Sequence, residues 1–270
     1  MYAEDFEYNG KYLSDFNFII CDFNNSSGFE NISGGSEITF NKVSREQGKK
    51  YGLSSTQYDE CIESVFQICK NPCLYKDLNI DNEQCRDIMR WLNRREFLPF
   101  KPFNSGTDGC ADIWFNASFN VRKLTMNGKT YGLEITMKTD KPFGYGRLVA
   151  HTLRFSEAGA EKRIPDVSDE IGITYPDLKI VCKADGDLEV KNITYPCAMI
   201  INNCKAGETI TVDGDTRIIT SSLSNHDISD DFNYEYLRIE NEYAKRENKI
   251  TVSLPCDITL SYHPIIKDTP

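Results

Sequence analysis

Short runs of alternating apolar and polar residues recur through most of this chain, each closed by turn-forming residues, and no other feature restricts its fold as strongly. Residues 122–126 and 129–139 are separated only by Asn127-Gly128. That dipeptide occupies the two left-handed positions of a type I′ turn, whose twist matches that of paired antiparallel strands. Further strand-like runs lie at 96–100, 112–119, 148–155, 178–183, 188–193, 198–202, 209–212, 217–220, 234–239, 250–254 and 258–262, with polar loops reaching Gly172 and passing through Asp230-Asp231. Many short strands at this spacing predict a sandwich or jelly-roll-like module.

The first half is more mixed. Residues 1–23 are aromatic-rich and strand-like around an Asn9-Gly10 turn, 24–35 read as a Gly- and Ser-rich loop, and 37–43 as a strand. A first helix is expected with Ser55 or Thr56 as its cap, apolar periodicity from Tyr58 to Ile68, and Asn71-Pro72 as its stop. A second starts at Asp81, which with Gln84 forms a capping box, and runs to about Asn93, where Arg94 and Arg95 suit the negative end of the dipole. Thr139-Asp140-Lys141-Pro142-Phe143-Gly144-Tyr145-Gly146 combines Pro, Gly and charge and marks a boundary. The expected fold class is mainly β with one or two helices in the N-terminal half, arranged as two β-sandwich domains, 1–140 and 145–270.

Charge narrows the function. The 270 residues carry 31 Lys+Arg against 41 Asp+Glu, a net charge of −10. A chain that gripped phosphates would need a basic face, so nucleic-acid recognition and anionic membranes are disfavoured. Apolar runs such as 18–21 and 198–201 are far shorter than the roughly 18 residues of a spanning helix. Met1-Tyr2-Ala3-Glu4-Asp5 has neither a basic nor an apolar leader segment, so synthesis and assembly in a cytoplasm are expected.

The residue types that could carry chemistry have bland readings. Cys61, Cys69, Cys73 and Cys85 have a C-x7-C-x3-C-x11-C spacing that matches no zinc knuckle or finger. Cys61 and Cys69 are expected on the apolar face of the first helix with Tyr58, Val65 and Phe66, and Cys85 with Ile88, Met89 and Leu92 on the second. The other cysteines, Cys21, Cys110, Cys182, Cys197, Cys204 and Cys256, are scattered through strand-like segments, and all ten are expected as reduced core residues. His151 lies in a strand-like run, His226 in a polar turn and His263 beside Pro264, and no nucleophile motif surrounds any Ser or Cys. The acidic pairs at Asp169-Glu170, Asp185/Asp187, Asp213/Asp215 and Asp230-Asp231 fit solvated turns better than a glycosidase pair or a calcium loop. The sequons at Asn25, Asn31, Asn116 and Asn192 are expected as chance matches, and Gly34-Gly35 and Gly144-Tyr145-Gly146 open no phosphate-binding helix. No catalytic, cofactor-binding or metal-binding residue is assigned, and no cofactor is expected.

Tyr8-Asn9-Gly10-Lys11, Arg90-Trp91-Leu92, Asp112-Ile113-Trp114-Phe115 and Thr139-Asp140-Lys141-Pro142-Phe143 form an ordered set. It continues with residues 186–192, 201–210 and Asn248-Lys249-Ile250-Thr251-Val252. Together these pieces resemble the distal tail protein (Dit) family of long-tailed phages that infect Gram-positive bacteria, across nearly the whole chain; their order carries the likeness. The resemblance implies an N-terminal ring-forming sandwich with a helix and a C-terminal galectin-like sandwich. It implies a structural virion protein without enzymatic activity. Its hexameric ring would join the tail tube to the hub or tail-associated lysin and nucleate the baseplate, with receptor-binding proteins as further partners and DNA passing through the lumen unbound.

Two other classes compete: a carbohydrate- or receptor-binding module of a phage tail or phage-like bacteriocin particle, and a cell-wall glycosidase. Both tryptophans, Trp91 and Trp114, fall in the first half, which leaves only Tyr and Phe for stacking on a sugar in the second.

Overall fold

The computed structural model describes residues 3–23, 37–44, 51–58, 61–103 and 113–267. The expected loop at 24–35, with Asn25, Asn31 and Gly34-Gly35, lies outside the described residues, as does Cys110. The chain is mainly β and divides into two compact units, 1–146 with 266–270, and 147–265.

The first unit is built on one antiparallel sheet of β1 (Asp5–Tyr8), β2 (Lys11–Tyr12), β3 (Phe18–Cys21), β6 (Glu63–Lys70), β7 (Leu98–Phe103), β8 (Phe115–Met126) and β9 (Lys129–Thr139). Its strand order is β2-β1-β7-β8-β9-β6-β3. Both Asn-Gly turns form as the sequence dictates: Asn9 and Gly10 have φ of 49° and 73°, Asn127 and Gly128 of 50° and 79°. Alternate residues then face one side. Phe66 and Ile68 on β6, Phe115, Ala117 and Phe119 on β8, and Leu133, Ile135 and Met137 on β9 are buried, while Ser118, Asn120, Glu134 and Lys138 face away.

The buried face is closed by α1 (Asn82–Leu92). Its capping box forms as read from the sequence: the Gln84 N–H donates to Asp81 Oδ1 at 2.8 Å, and the Asp81 N–H to Gln84 Oε1 at 3.2 Å. At the other end Arg94 Nε donates to the Trp91 carbonyl at 3.3 Å. Cys85, Ile88, Trp91 and Leu92 are buried against the sheet. Trp91 stacks on Phe6 (5.4 Å, 6°) and on Phe16 (4.6 Å, 23°), and its Nε1–H donates to the Tyr8 carbonyl at 2.9 Å. Burial of Tyr8 in the same cluster pushes its phenol up to about 12.

The first expected helix does not exist. Its segment forms β5 (Tyr51–Tyr58) and β6, with Ser55 and Thr56 inside β5. Tyr58, Cys61, Ile62, Val65, Phe66 and Cys69 fit a helical period, but 63–70 also alternates with period two, and β-branched Val65 and Ile68 favour the extended chain. Neighbours β3 and β9 decide between them by pairing both edges of β6. Among the described residues β4 (Ile38–Ser44) and β5 pair only with each other, as a separate two-stranded hairpin. The runs at 112–119 and 122–126 merge into the single strand β8, and β10 (Gly144–Tyr145) completes this unit's strands before the boundary segment ends.

The second unit is a sandwich. One sheet has the order β11-β21-β14-β17-β18 and the other β12-β20-β15-β16. The first contains β11 (Val149–Phe155), β14 (Asp177–Cys182), β17 (Thr209–Val212), β18 (Ile219–Ser221) and β21 (Cys256–Tyr262). The second contains β12 (Glu161–Pro165), β15 (Gly186–Asn192), β16 (Cys197–Cys204) and β20 (Glu247–Val252). A short pair, β13 (Gly172–Thr174) with β19 (Ile239–Asn241), one helical turn α2 (Ile228–Asp231) and β22 (Ile265–Ile266) complete the elements. Phe155, Ile180, Leu188, Val190, Met199, Ile201, Ile210, Ile250, Ile258 and Leu260 form the shared core.

Here β12 falls inside the expected loop to Gly172. Only Ile164 of its five residues is buried, so a charged edge strand gave no apolar signal. The acidic Asp-Gly pairs lie in turns with their carboxylates exposed, as expected, but neither is a two-residue hairpin. Asp185-Gly186 connects β14 to β15, which lie in different sheets, so it closes no hairpin. Asp213-Gly214 does lie in the β17–β18 connection, but as part of a longer loop in which Asp213 Oδ1 accepts from the Asp215 and Thr216 N–H groups. Gly214 is required there by space, because a Cβ would collide with the Tyr175 carbonyl oxygen.

Replacing Trp91 by Ala removes the stack and the indole hydrogen bond together. The expected loss is about 3–5 kcal/mol of stability, read from urea unfolding, with Trp91→Phe losing less because it keeps the ring contacts.

Candidate functional site: an exposed hairpin and a buried carboxylate cluster

The strongest candidate surface is the β4–β5 hairpin. Register runs from Ile38 opposite Tyr58 to Ser44 opposite Tyr51, with a bulge between Asn41 and Lys42. Ile38, Phe40, Val43 and Leu53 are 44%, 56%, 53% and 60% exposed. These side chains do not all share one face, so the hairpin presents apolar surface on both sides. Among the described residues, no further strand extends this ribbon. A two-stranded ribbon gains too little burial to be stable alone in water, and its outer edges carry unpaired backbone groups.

The second candidate lies in the other unit. Glu208 is fully buried, and its Oε1 accepts from Ser221 Oγ at 2.5 Å and contacts His226 Nδ1 at 2.5 Å, while Oε2 accepts from the Lys205 N–H at 2.8 Å. The His226 side chain is itself buried, with Nε2 3.4 Å from Asp231 Oδ2 on α2. Burial raises the Glu208 carboxyl, but the Ser221, His226 and Lys205 hydrogen bonds and the His226 charge outweigh it and leave it lowered. Burial likewise lowers His226, and the Glu208 hydrogen bond and charge, with Cys204 and Asp231, outweigh it and leave it raised. The set contains Ser, His and carboxylates, yet its order is wrong for nucleophilic catalysis. Ser221 donates to the Glu208 carboxylate and not to the His226 imidazole, so the serine–histidine contact of a triad is not made. The chemistry this geometry performs is to tie the β16–β17 turn, β18 and α2 together. Sequence reasoning placed His226 in a polar turn and missed Glu208, whose partners are 13 and 18 residues away.

The remaining candidates do not converge. Among the described residues, no group of three His, Cys, Asp or Glu is placed to hold a metal ion. Cys85 is buried on α1 as expected, but Cys61 and Cys73 are exposed and Cys69 is half-buried on β6, because the helix that was to bury Cys61 and Cys69 is replaced by a connection and a strand. Cys182, Cys204 and Cys256 are buried, and Cys21 and Cys197 half-buried. His151 lies on β11 opposite Leu260, and His263 follows β21. Asp169-Glu170 precedes β13, and Asp230-Asp231 belongs to α2. Asn116 is on β8, while the Asn192 amide is buried, donating to Asn248 Oδ1 at 2.8 Å, which leaves this sequon no free nitrogen for a glycan.

Tyrosines of the second unit engage internal partners. The Arg217 guanidinium lies 3.3 Å over the Tyr175 ring, Tyr236 OH donates to the Arg217 carbonyl at 2.6 Å, and Tyr234 OH to the Ser229 carbonyl at 3.0 Å. The Tyr175 face that a sugar would stack on is therefore covered by the chain's own cation.

The chain is thus a helix-backed antiparallel sheet followed by a two-sheet sandwich. The structure is similar to that of SPP1 Dit, described as a paradigm of the hub adsorption apparatus in phages infecting Gram-positive bacteria. The match has a TM-score of 0.65 and 11% identity and covers 96% of this chain and 98% of that one. The chain belongs to the phage tail protein family whose N-terminal domain matches residues 1–141 and whose C-terminal domain matches residues 143–262. It is also 28% identical over 215 residues to the SPbeta prophage-derived protein YomH of Bacillus subtilis strain 168, covering 78% of this chain and 80% of that protein.

The buried pair makes stability depend on pH in two directions. Glu208, lowered in the fold, contributes stability above its unfolded value of 4.5 and loses it as pH falls through its lower folded value. His226, raised in the fold, contributes below its unfolded value of 6.5 and loses this as pH rises through its higher folded value. Melting temperature against pH should therefore fall at both ends. His226→Ala should remove the alkaline limb and cost about 3–5 kcal/mol by leaving the Glu208 carboxylate unpaired.

Proposed function

We propose that this chain is a structural tail adaptor: six copies form a ring that joins the tail tube to the hub or tail-associated lysin and starts baseplate assembly. The observation that carries this reading is the bare β4–β5 hairpin, an apolar ribbon that needs a neighbour for stability. A second copy of the same chain is the neighbour always present at equal concentration, and repetition of one head-to-tail contact closes a ring. The hairpin belongs to the first unit, so the ring is assigned to residues 1–140, with residues 145–270 as a galectin-like sandwich. Such a role uses no active site and no cofactor. The particle is assembled in the cytoplasm of the host bacterium and functions as part of the virion tail, with receptor-binding proteins as further partners.

The net charge of −10 fits a lumen that lets DNA slide without holding it, since a basic wall would retain phosphates. A carbohydrate-binding role is the weaker reading, because Arg217 covers the Tyr175 ring and both tryptophans lie in the first unit.

Light scattering and negative-stain imaging of the purified chain, alone and mixed with the tube and hub proteins, test the adaptor reading. Six-fold rings are expected, and a strict monomer that ignores both neighbours would overturn it. Phe40→Asp combined with Leu53→Asp should abolish rings while the melting temperature of the isolated chain stays nearly unchanged, because both side chains are exposed in the single subunit.

A further inference from the structure

Cys21 and Cys69 form a thiol pair at the root of the hairpin-bearing segment. Among the described residues β3 is an edge strand of the seven-stranded sheet, paired with β6. Register sets Ile19 opposite Cys69 and Cys21 opposite Gln67, so the two cysteines share the outward face of the sheet on a diagonal of the ladder. Both are half-buried, which leaves a small oxidant a route to them, unlike the buried Cys182, Cys204 and Cys256. The interaction between the two thiols pushes the Cys21 thiol up and the Cys69 thiol down, which favours the thiolate at Cys69. A thiolate beside a second thiol is the arrangement of an attacking and a resolving cysteine.

We propose that Cys21 and Cys69 form an intramolecular disulfide when the protein meets a low-molecular-weight disulfide such as oxidised glutathione. The Cys69 thiolate attacks one sulfur of the small disulfide, whose S–S bond breaks, and one small thiolate leaves and takes a proton from water. Cys21 then loses its proton to solvent and attacks the Cys69 sulfur of the mixed disulfide, expelling the second small thiolate. Two protein thiols are oxidised and one small disulfide is reduced to two thiols. The bond closes a loop of roughly fifty residues that contains both β4 and β5, and it fastens β3 to β6. Oxidation thus closes the segment that carries the hairpin without touching the hairpin's exposed apolar residues. The chemistry does not depend on the ring reading, because it is read on the single chain.

The test uses the full chain with Cys61→Ser, Cys73→Ser and Cys110→Ser, so that these other thiols do not trap glutathione. After incubation with oxidised glutathione at pH 8, peptide mapping without reductant should show one cross-linked pair carrying Cys21 and Cys69. Thiol counting should show two thiols lost, and the melting temperature should rise and return when reductant is added. Cys21→Ser in the same background should leave Cys69 as a stable glutathione mixed disulfide. If wild-type chain mapped in parallel gives the same link, the background substitutions are without effect on it. Recovery of Cys21 and Cys69 as free thiols, or each separately capped by glutathione, would overturn the proposal.

Discussion

The contact on which the first unit depends is the one Trp91 makes with the sheet. An open seven-stranded sheet exposes a wide apolar face, and a single helix of eleven residues is the element placed over it. The helix is polar on its other side, so its position rests on Cys85, Ile88, Trp91 and Leu92. Trp91 fixes that position in two ways: its ring is held between Phe6 and Phe16, and its N–H reaches the backbone of β1. Stacking provides burial and the hydrogen bond provides register, so the helix is held against sliding as well as lifting.

What could be read from the sequence follows from how local each determinant is. Asp81 and Gln84 cap α1 within one turn, and Asn127-Gly128 sets its hairpin within two residues, so both were legible. Residues 63–69 satisfy two periods at once, and the choice is made by strands β3 and β9, both far away in sequence. β12 was invisible because an edge strand made of Glu161, Lys162 and Arg163 looks like a loop. Gly214 was read as a turn former when its role is to let the Tyr175 carbonyl approach. The candidate surfaces were less legible than the fold. An exposed Phe40 or Leu53 has the same sequence signature as a buried one, and the Glu208–His226 pair exists only after two connections fold together.

The two units solve the problem of polar groups in different ways. The first places its polar residues on the open face of the sheet and keeps an almost purely apolar inner face. The second buries Asn192, Asn248 and Glu208 and satisfies them with backbone and side-chain partners. Buried amides and a buried carboxylate add little net stability, but they accept only one arrangement of the connections that surround them. This suits a sandwich whose connections are long, where apolar packing alone would tolerate several loop placements.

The charged edge of the sandwich carries a further consequence. β12 is the outermost strand of its sheet, and Arg163 on it reaches Glu161 and Glu247 at 3.3 Å, with Lys249 3.8 Å from Glu161. A second sheet approaching this edge would have to strip water from these ions before its backbone could pair. The ions on β12 therefore guard this edge of the sandwich against strand-to-strand pairing with another sheet.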